Sequence, residues 1–302
     1  MTTVTEPRAG ERRLALRHRL ADRGIDRVLL LLLPGLIFSI GLFLYPFLYG
    51  FQLSFQPKSG GMFENYRAFF ADARMRDTIW ITLRIGFPGA LLNVAVSVPI
   101  AYRLRGKVRG KRLITTVLVV PITLGTVLTA EGLLAYLGPS GWVNKILLKL
   151  HLIDQPLVLI HNYWGVLLSL VISGFPFAFL LTLSYLSGID PSLESAASTL
   201  GAGWWLRFRH ITFPLVAPGI AMTFCLTFVL AFSVFPSANL VGDPQGTTRV
   251  ISIAAYDAAF LRYDYSMASA IAMIMAAVML VVIGIVLVGR ARLYRGATGG
   301  KG

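Results

Sequence analysis

Apolar residues in this chain come in long runs, and charge is confined to the gaps between them. Stretches free of Asp, Glu, Lys and Arg cover 28–57, 85–102, 113–130, 155–189, 211–242 and 265–289. A helix rises about 1.5 Å per residue, so about 20 residues cross a hydrocarbon core of about 30 Å. Each run is close to that length or exceeds it. A core helix of a water-soluble domain would carry charge on its wet face every few residues. The pattern therefore predicts an all-α integral membrane protein with six transmembrane helices, near 28–50, 78–102, 113–137, 162–187, 215–236 and 265–289. A basic segment, 1–27, precedes this 28–289 membrane domain, and a short tail, 290–302, follows it.

The polar gaps give the chain a direction. Nineteen of the 28 Lys and Arg residues fall in 1–27, 103–112, 188–214 and 290–302, and eight fall in 53–77, 138–161 and 237–264. Positive charge gathers on the cytoplasmic side of a membrane, so both termini are expected there. The net charge of +14 is thus a membrane signature, facing anionic headgroups, and no nucleic-acid role follows from it. The first run is too long for a cleaved leader and lacks a small-residue cleavage site, so a retained helix is expected. Arg12, Arg13, Arg17 and Arg19 are expected on one side of a short surface helix.

Within the runs, Pro and small residues mark detail. The first helix is expected to end near Tyr45-Pro46, with Tyr45, Tyr49 and Phe51 at the interface. Pro121, Pro176 and Pro236 are expected points of helix irregularity along a substrate pathway, since Pro lacks a donor. Small residues recur four apart at Ser169 and Ser173, at Gly219, Thr223, Thr227 and Ala231, and at Ala268, Ala272 and Ala276, as helix packing in lipid requires. Residues 142–150 read as a short amphipathic helix lying at the membrane interface, and 250–260 as an outer amphipathic helix. Cys225 is the single cysteine and lies in an apolar run, and the four histidines are scattered. Neither a disulfide nor a metal site is expected.

Two charges fall inside predicted spans, Arg84 in the second and Glu131 in the third. Each lies six residues from the expected outer end of its helix, about 9 Å deep. Three readings remain: an Arg84–Glu131 ion pair, Arg84 snorkelling alone, or Glu131 facing the pathway and meeting a cationic substrate.

The stretch 190–218 organises the rest. Asp190-Pro191-Ser192 is a helix start signal, Ser195-Ala196-Ala197-Ser198 is a run of small residues, and Gly201-Ala202-Gly203 breaks the helix. Trp204, Trp205, Phe208 and their basic neighbours follow, either as part of a docking surface or as an interfacial anchor, and Pro214 and Pro218 close the stretch. Three residues separate Ala197 from Gly201, nine separate Gly201 from Ile211, and Phe213-Pro214 comes one residue later. This resembles the EAA loop of permeases of type I ABC importers, with Ser195 where that family has Glu and Glu194 one residue earlier. The resemblance covers roughly 30–290. Asn65-Tyr66 with Phe69-Phe70 is similar to the corresponding region of sugar and polyamine permeases. Thr248-Arg249-Val250-Ile251 and Ala255-Tyr256-Asp257 resemble the polyamine type.

The resemblance implies coupling to an ATPase through Glu194, Ser195, Ala196, Ala197, Gly201, Ile211 and Pro214. It also implies a second permease subunit, two ATP-binding subunits carrying ATP and Mg, an extracytoplasmic substrate-binding protein, and a place in the bacterial inner membrane. No cofactor is expected in this chain itself. None of Gly106-Lys107, Gly110-Lys111 and Gly300-Lys301 has the preceding Gly and following Ser/Thr of a phosphate-binding loop, so ATP hydrolysis is expected on another subunit and this chain is not read as an enzyme. A polyamine or other small cationic compound is the expected substrate, with a sugar second. The alternative is a secondary transporter driven by an ion gradient, although no repeat relates the two halves of the chain.

Overall fold

The structure is a computed structural model that describes residues 27–106 and 108–295. The expected surface helix around Arg12–Arg19 and the end of the tail lie outside the described residues. In chain order the helices are α1 (Leu31–Ser54), α2 (Glu64–Ala71), α3 (Ala73–Leu104), α4 (Lys111–Leu137), α5 (Trp142–Lys149), α6 (Tyr163–Ser187), α7 (Pro191–Thr199), α8 (Trp204–Phe232), α9 (Pro236–Leu240), α10 (Ile251–Leu261) and α11 (Tyr265–Arg295). Among the described residues α1, α3, α4, α6, α8 and α11 are long and apolar enough to cross a membrane. The predicted all-α, six-span fold class is what the chain adopts.

Residues 1–53 and 54–302 form two units. In the first, α1 does not end at Pro46. A π-helical turn, Ile40–Leu44, precedes that proline, with the Tyr45 N–H donating to the Ile40 carbonyl, and the helix continues beyond it. A proline ring clashes with the carbonyl four residues back, here Leu42, and a widened turn relieves that clash.

In the second unit α3, α6 and α8 are each about half buried, whereas α4 and α11 flank them and are mostly exposed. Buried polar groups join α3 to α6. The Asn93 amide donates to the Leu170 carbonyl at 3.1 Å, and the Ser97 and Thr182 hydroxyls lie 3.0 Å apart. Such bonds are satisfied inside the bundle, where lipid offers no alternative. Gly219 packs on the ring of Tyr185 so closely that a β-carbon would fall 2.3 Å from it. Close helix approach therefore depends on this glycine.

Several expectations are corrected. In α11 the buried positions are Ser266, Ala270, Ile271 and Ile274, while Ala272 is exposed. The helix is apolar all round, so its small residues alone do not mark the packed face. In α4 the break falls at Gly125, with φ 69° and ψ 175°, and not at Pro121. Pro121 weakens the ladder, but glycine takes a positive φ without strain. The freed Gly125 carbonyl accepts the Thr129 hydroxyl at 2.7 Å. Pro236 is not inside a membrane helix; it starts α9, where its missing N–H has no consequence. Residues 250–260 do form a helical segment, α10, with Ile251, Ile253, Ala254 and Asp257 buried on one face and Tyr256 and Phe260 exposed on the other.

Candidate functional site

The stretch 190–218 is two helices joined by a tight turn. The Asp190 carboxylate accepts the Ser192 N–H at 2.9 Å and Pro191 fills the first helical position, so α7 has a complete N-terminal cap. That bond holds the Asp190 carboxyl below the usual carboxylate range. At the other end the Ala202 N–H donates to the Ala197 carbonyl and the Gly201 N–H to the Ser198 carbonyl, both at 3.0 Å. This is a Schellman closure, and it needs a left-handed residue, which Gly201 supplies with φ 82°.

No residue of α7 is buried. Ser195 and Ala196 are exposed, Ala197 is half-buried, and the Ser195 hydroxyl donates back to the Pro191 carbonyl. Leu193 is exposed and Leu200, just past the helix, is 88% exposed.

Glu194 is the exception, because it turns inward. Its carboxylate lies 2.5 Å from Arg105 Nη2 and accepts the Thr212 hydroxyl, with the Tyr102 hydroxyl at a long 3.5 Å. Arg105 also sits 4.3 Å from the centre of the Tyr102 ring. Burial pushes the Glu194 carboxyl up. The hydrogen bonds from Arg105 and Thr212 and the charges of Arg105 and Arg207 outweigh it and hold the group below the usual carboxylate range.

After Gly203 the chain enters α8 directly, so Pro214 and Pro218 do not close the stretch. A π-helical turn, Phe208–Thr212, precedes Pro214 as another precedes Pro46. Ile211 is half-buried and Thr212 is buried within that turn. Trp204 stacks on Phe208, whose ring meets Tyr102 edge-on at 5.0 Å. These rings border a groove of about 720 Å³ along α3, with Leu91, Val98, Arg103 and Trp205 in its walls.

The pathway candidates are dispersed. Pro176 is buried in α6, and Pro121 lies in α4 above the Gly125 break. Arg84 and Glu131 do not pair. The Arg84 guanidinium lies 5.8 Å from the Tyr163 ring centre, beside a cavity of about 680 Å³ that also touches Asp77, Trp80 and Phe87. Glu131 is exposed on α4 and has neither a hydrogen bond nor an ion pair among the described residues. The pair was expected from consecutive helices at matching depth, but α6 lies between α3 and α4 and packs against both.

Arg105, Tyr102 and Thr212 were not singled out by sequence. Arg105 is one of six basic residues in ten, and nothing in that run separates the inward-facing guanidinium from the others. Gly125 was missed as well, although a glycine one turn after a membrane proline is a usable signal. At the far end, Arg249 and Asp257 form a buried ion pair at 2.9 Å.

A family model described as binding-protein-dependent transport system inner membrane component matches residues 78–294. A probable ABC transporter permease of Brucella abortus is 28% identical over 267 residues, covering 83% of this chain and 92% of the relative. The spermidine/putrescine transport system permease of Haemophilus influenzae is 26% identical, covering 70% and 77%. Other relatives carry the names of sulfate and molybdenum transport permeases. In fold, the chain matches a solved bacterial alginate ABC transporter, in complex with a periplasmic protein bound to alginate pentasaccharide, at a TM-score of 0.76 and 24% identity, over 93% of this chain and 98% of that one. With six spans and a match over most of its length, the chain belongs to the binding-protein-dependent transport system inner membrane component family and is a multi-pass permease subunit of an ABC importer.

Proposed function

We propose that this subunit forms half of the transmembrane pathway of its importer and couples to a separate ATP-hydrolysing subunit through α7. The observation that carries this is α7 itself: a helix closed at both ends, with no buried residue and with Leu200 almost fully exposed beyond it. Covering a leucine side chain is worth about 1.5–3 kcal/mol, and a groove on the ATPase would supply that cover. Ala196 and Ala197 permit close approach there. A second permease, two ATP-binding subunits carrying ATP and Mg and an extracytoplasmic binding protein complete the assembly. Both termini then lie on the ATPase side, in keeping with the positive charge at that end.

The substrate reading rests on Glu131, an unpaired carboxylate on an exposed membrane helix. Holding an ionisable group near a helix centre costs about 2.5–3.5 kcal/mol on insertion scales, so a partner is expected during function. A small cationic compound of the polyamine class supplies one, and the spermidine/putrescine relative supports it. A second reading, an oxyanion, draws on Arg84, which has no carboxylate partner among the described residues, and on the sulfate and molybdenum relatives.

The test uses the complex reconstituted in proteoliposomes. Gly201→Pro is expected to leave the subunit inserted and to lower both uptake and substrate-stimulated ATP hydrolysis; normal coupling would overturn the docking role of α7. Glu131→Gln is expected to remove putrescine uptake while Arg84→Gln spares it. Sulfate or molybdate uptake that depends on Arg84 and not on Glu131 would replace the cationic reading with the anionic one.

A further inference from the structure

Glu194 meets groups from two other elements at one end of the bundle. Arg105 and Tyr102 come from the end of α3, and Thr212 and Arg207 come from α8. The carboxylate and the Arg105 guanidinium are 14% and 17% exposed, against 59% and 26% for the surface pair of Lys58 and Asp264. The Arg207 Nε is also buried and has no hydrogen-bond partner among the described residues. A single carboxylate therefore stands among two guanidinium groups and a hydroxyl, largely out of water.

The connectivity gives this cluster its significance. The backbone links α7 to α6 and α8 directly, but α3 is more than eighty residues earlier in sequence. α7 buries no side chain that would grip α3 by packing. The bonds of Glu194 to Arg105 and Tyr102 are the polar contacts by which α7 holds α3 among the described residues. α3 in turn packs along α6 and α8, the other central helices. Movement of α7 thus has a short, charged route into the centre of the bundle, and the route has a defined origin in sequence. Ser195 is exposed, and its hydroxyl bonds back to the Pro191 carbonyl. The carboxylate of this chain is one residue earlier, about 100° round the helix, and faces the permease's own core.

We propose that Glu194 is a positioning residue that ties α7 to α3 through Arg105, transmitting displacement of α7 into the membrane helices without itself binding the ATPase. The inference rests on the coupling role proposed above for α7 and adds to it a division of labour. The outward face of α7 and Leu200 engage the ATPase, and the inward carboxylate passes the movement on. Arg207 adds a second positive charge favouring the carboxylate, and the Thr212 hydroxyl bond fixes its orientation relative to α8.

The experiment uses the whole reconstituted complex and three readouts: assembly, cross-linking of a cysteine in Ser195→Cys to the ATPase subunit, and substrate taken up per ATP hydrolysed. Glu194→Gln and Arg105→Gln are each expected to keep assembly and the cross-link while lowering uptake per ATP about tenfold, a coupling loss of the usual size. The double variant is expected to be no worse than the poorer single variant, because both remove one tie. Multiplying losses, or unchanged uptake per ATP in either single variant, would overturn the proposal. If Glu194→Gln fails to assemble, Arg105→Gln alone serves, since it removes the single charged contact from the other side, and an assembled complex with full coupling would overturn the proposal equally. Loss of the cross-link in an otherwise unaltered complex would instead overturn the docking of α7, which separates the two failures.

Discussion

At one end of the bundle Arg249 and Asp257 lie 2.9 Å apart; at the other, Arg105 and Glu194 lie 2.5 Å apart. Both pairs are largely buried, yet they sit in different frames. Asp257 belongs to α10, whose Ile251, Ile253, Ala254 and Ala258 are buried, whose Ile251 N–H is taken by the Thr82 hydroxyl at 2.9 Å, and whose Ser252 hydroxyl bonds the Val234 carbonyl. Glu194 belongs to α7, which has no buried residue. Remove its ion pair, and α10 remains gripped by apolar contacts and hydrogen bonds; remove the pair at α7, and the chain ends, the Thr212 bond and the long Tyr102 bond remain. The same chemical contact therefore serves stability in a packed segment and attachment in an unpacked one.

The largest effect is expected at the packed end. Asp257→Ala leaves the Arg249 guanidinium buried without its carboxylate, when its own Nε already has no hydrogen-bond partner among the described residues. Breaking such a pair from one side costs about 3–5 kcal/mol, so the assembled permease should fall several-fold in membranes, as measured by detergent extraction and gel filtration. Replacing both partners, Arg249→Met with Asp257→Leu, should recover much of that loss and leave transport intact. The corresponding apolar pair at Arg105 and Glu194 should keep assembly and not restore transport. Equal recovery of transport at both ends would erase the distinction.

A smaller effect is expected in hydrogen exchange. α7 has no buried residue, whereas α10 lies under buried apolar contacts, so the amides of α7 should exchange about a hundredfold faster. Glu194→Gln should speed α7 further and leave α10 unchanged. Matching protection of the two helices would show that α7 is packed by something other than its carboxylate.

What the sequence revealed follows the same division. The six spans were legible because lipid removes charge from whole runs, and α7 was legible because Pro191, Ser192 and Gly201 have fixed backbone roles. Helix continuation past Pro46 and Pro214 was not legible, since a π-helical turn that absorbs a proline has no residue signature of its own. Which helices touch was also hidden. Matching depth made Arg84 and Glu131 a reasonable pair, but α6 inserts between their helices, and insertion order is a property of packing. Arg105 was hidden by its five basic neighbours, and the packed face of α11 by small residues on every side. Sequence reports what each segment requires of its solvent and backbone; it reports partners only where a charge has few candidates.

The smallest expected effect concerns acid. Arg105 and Tyr102 from α3 and Arg207 and Thr212 from α8 face Glu194; burial pushes its carboxyl up, but Arg105, Thr212 and Arg207 outweigh that and keep it below the usual carboxylate range. A depressed value means that the tie's contribution is complete above the unfolded glutamate value, about 4.3, and is lost as pH falls through the lower folded value. Guanidinium groups stay charged throughout, so the carboxylate alone decides the outcome. The mobility of a nitroxide attached in Ser195→Cys should therefore stay constant from about pH 8 to about pH 5 and rise only below the glutamate value. The same label in a Glu194→Gln background should be mobile at every pH, with no step. A rise in mobility between pH 6 and 7 in the Glu194 protein would place the carboxyl above its ordinary value, and so out of reach of the guanidinium that holds α7 to α3.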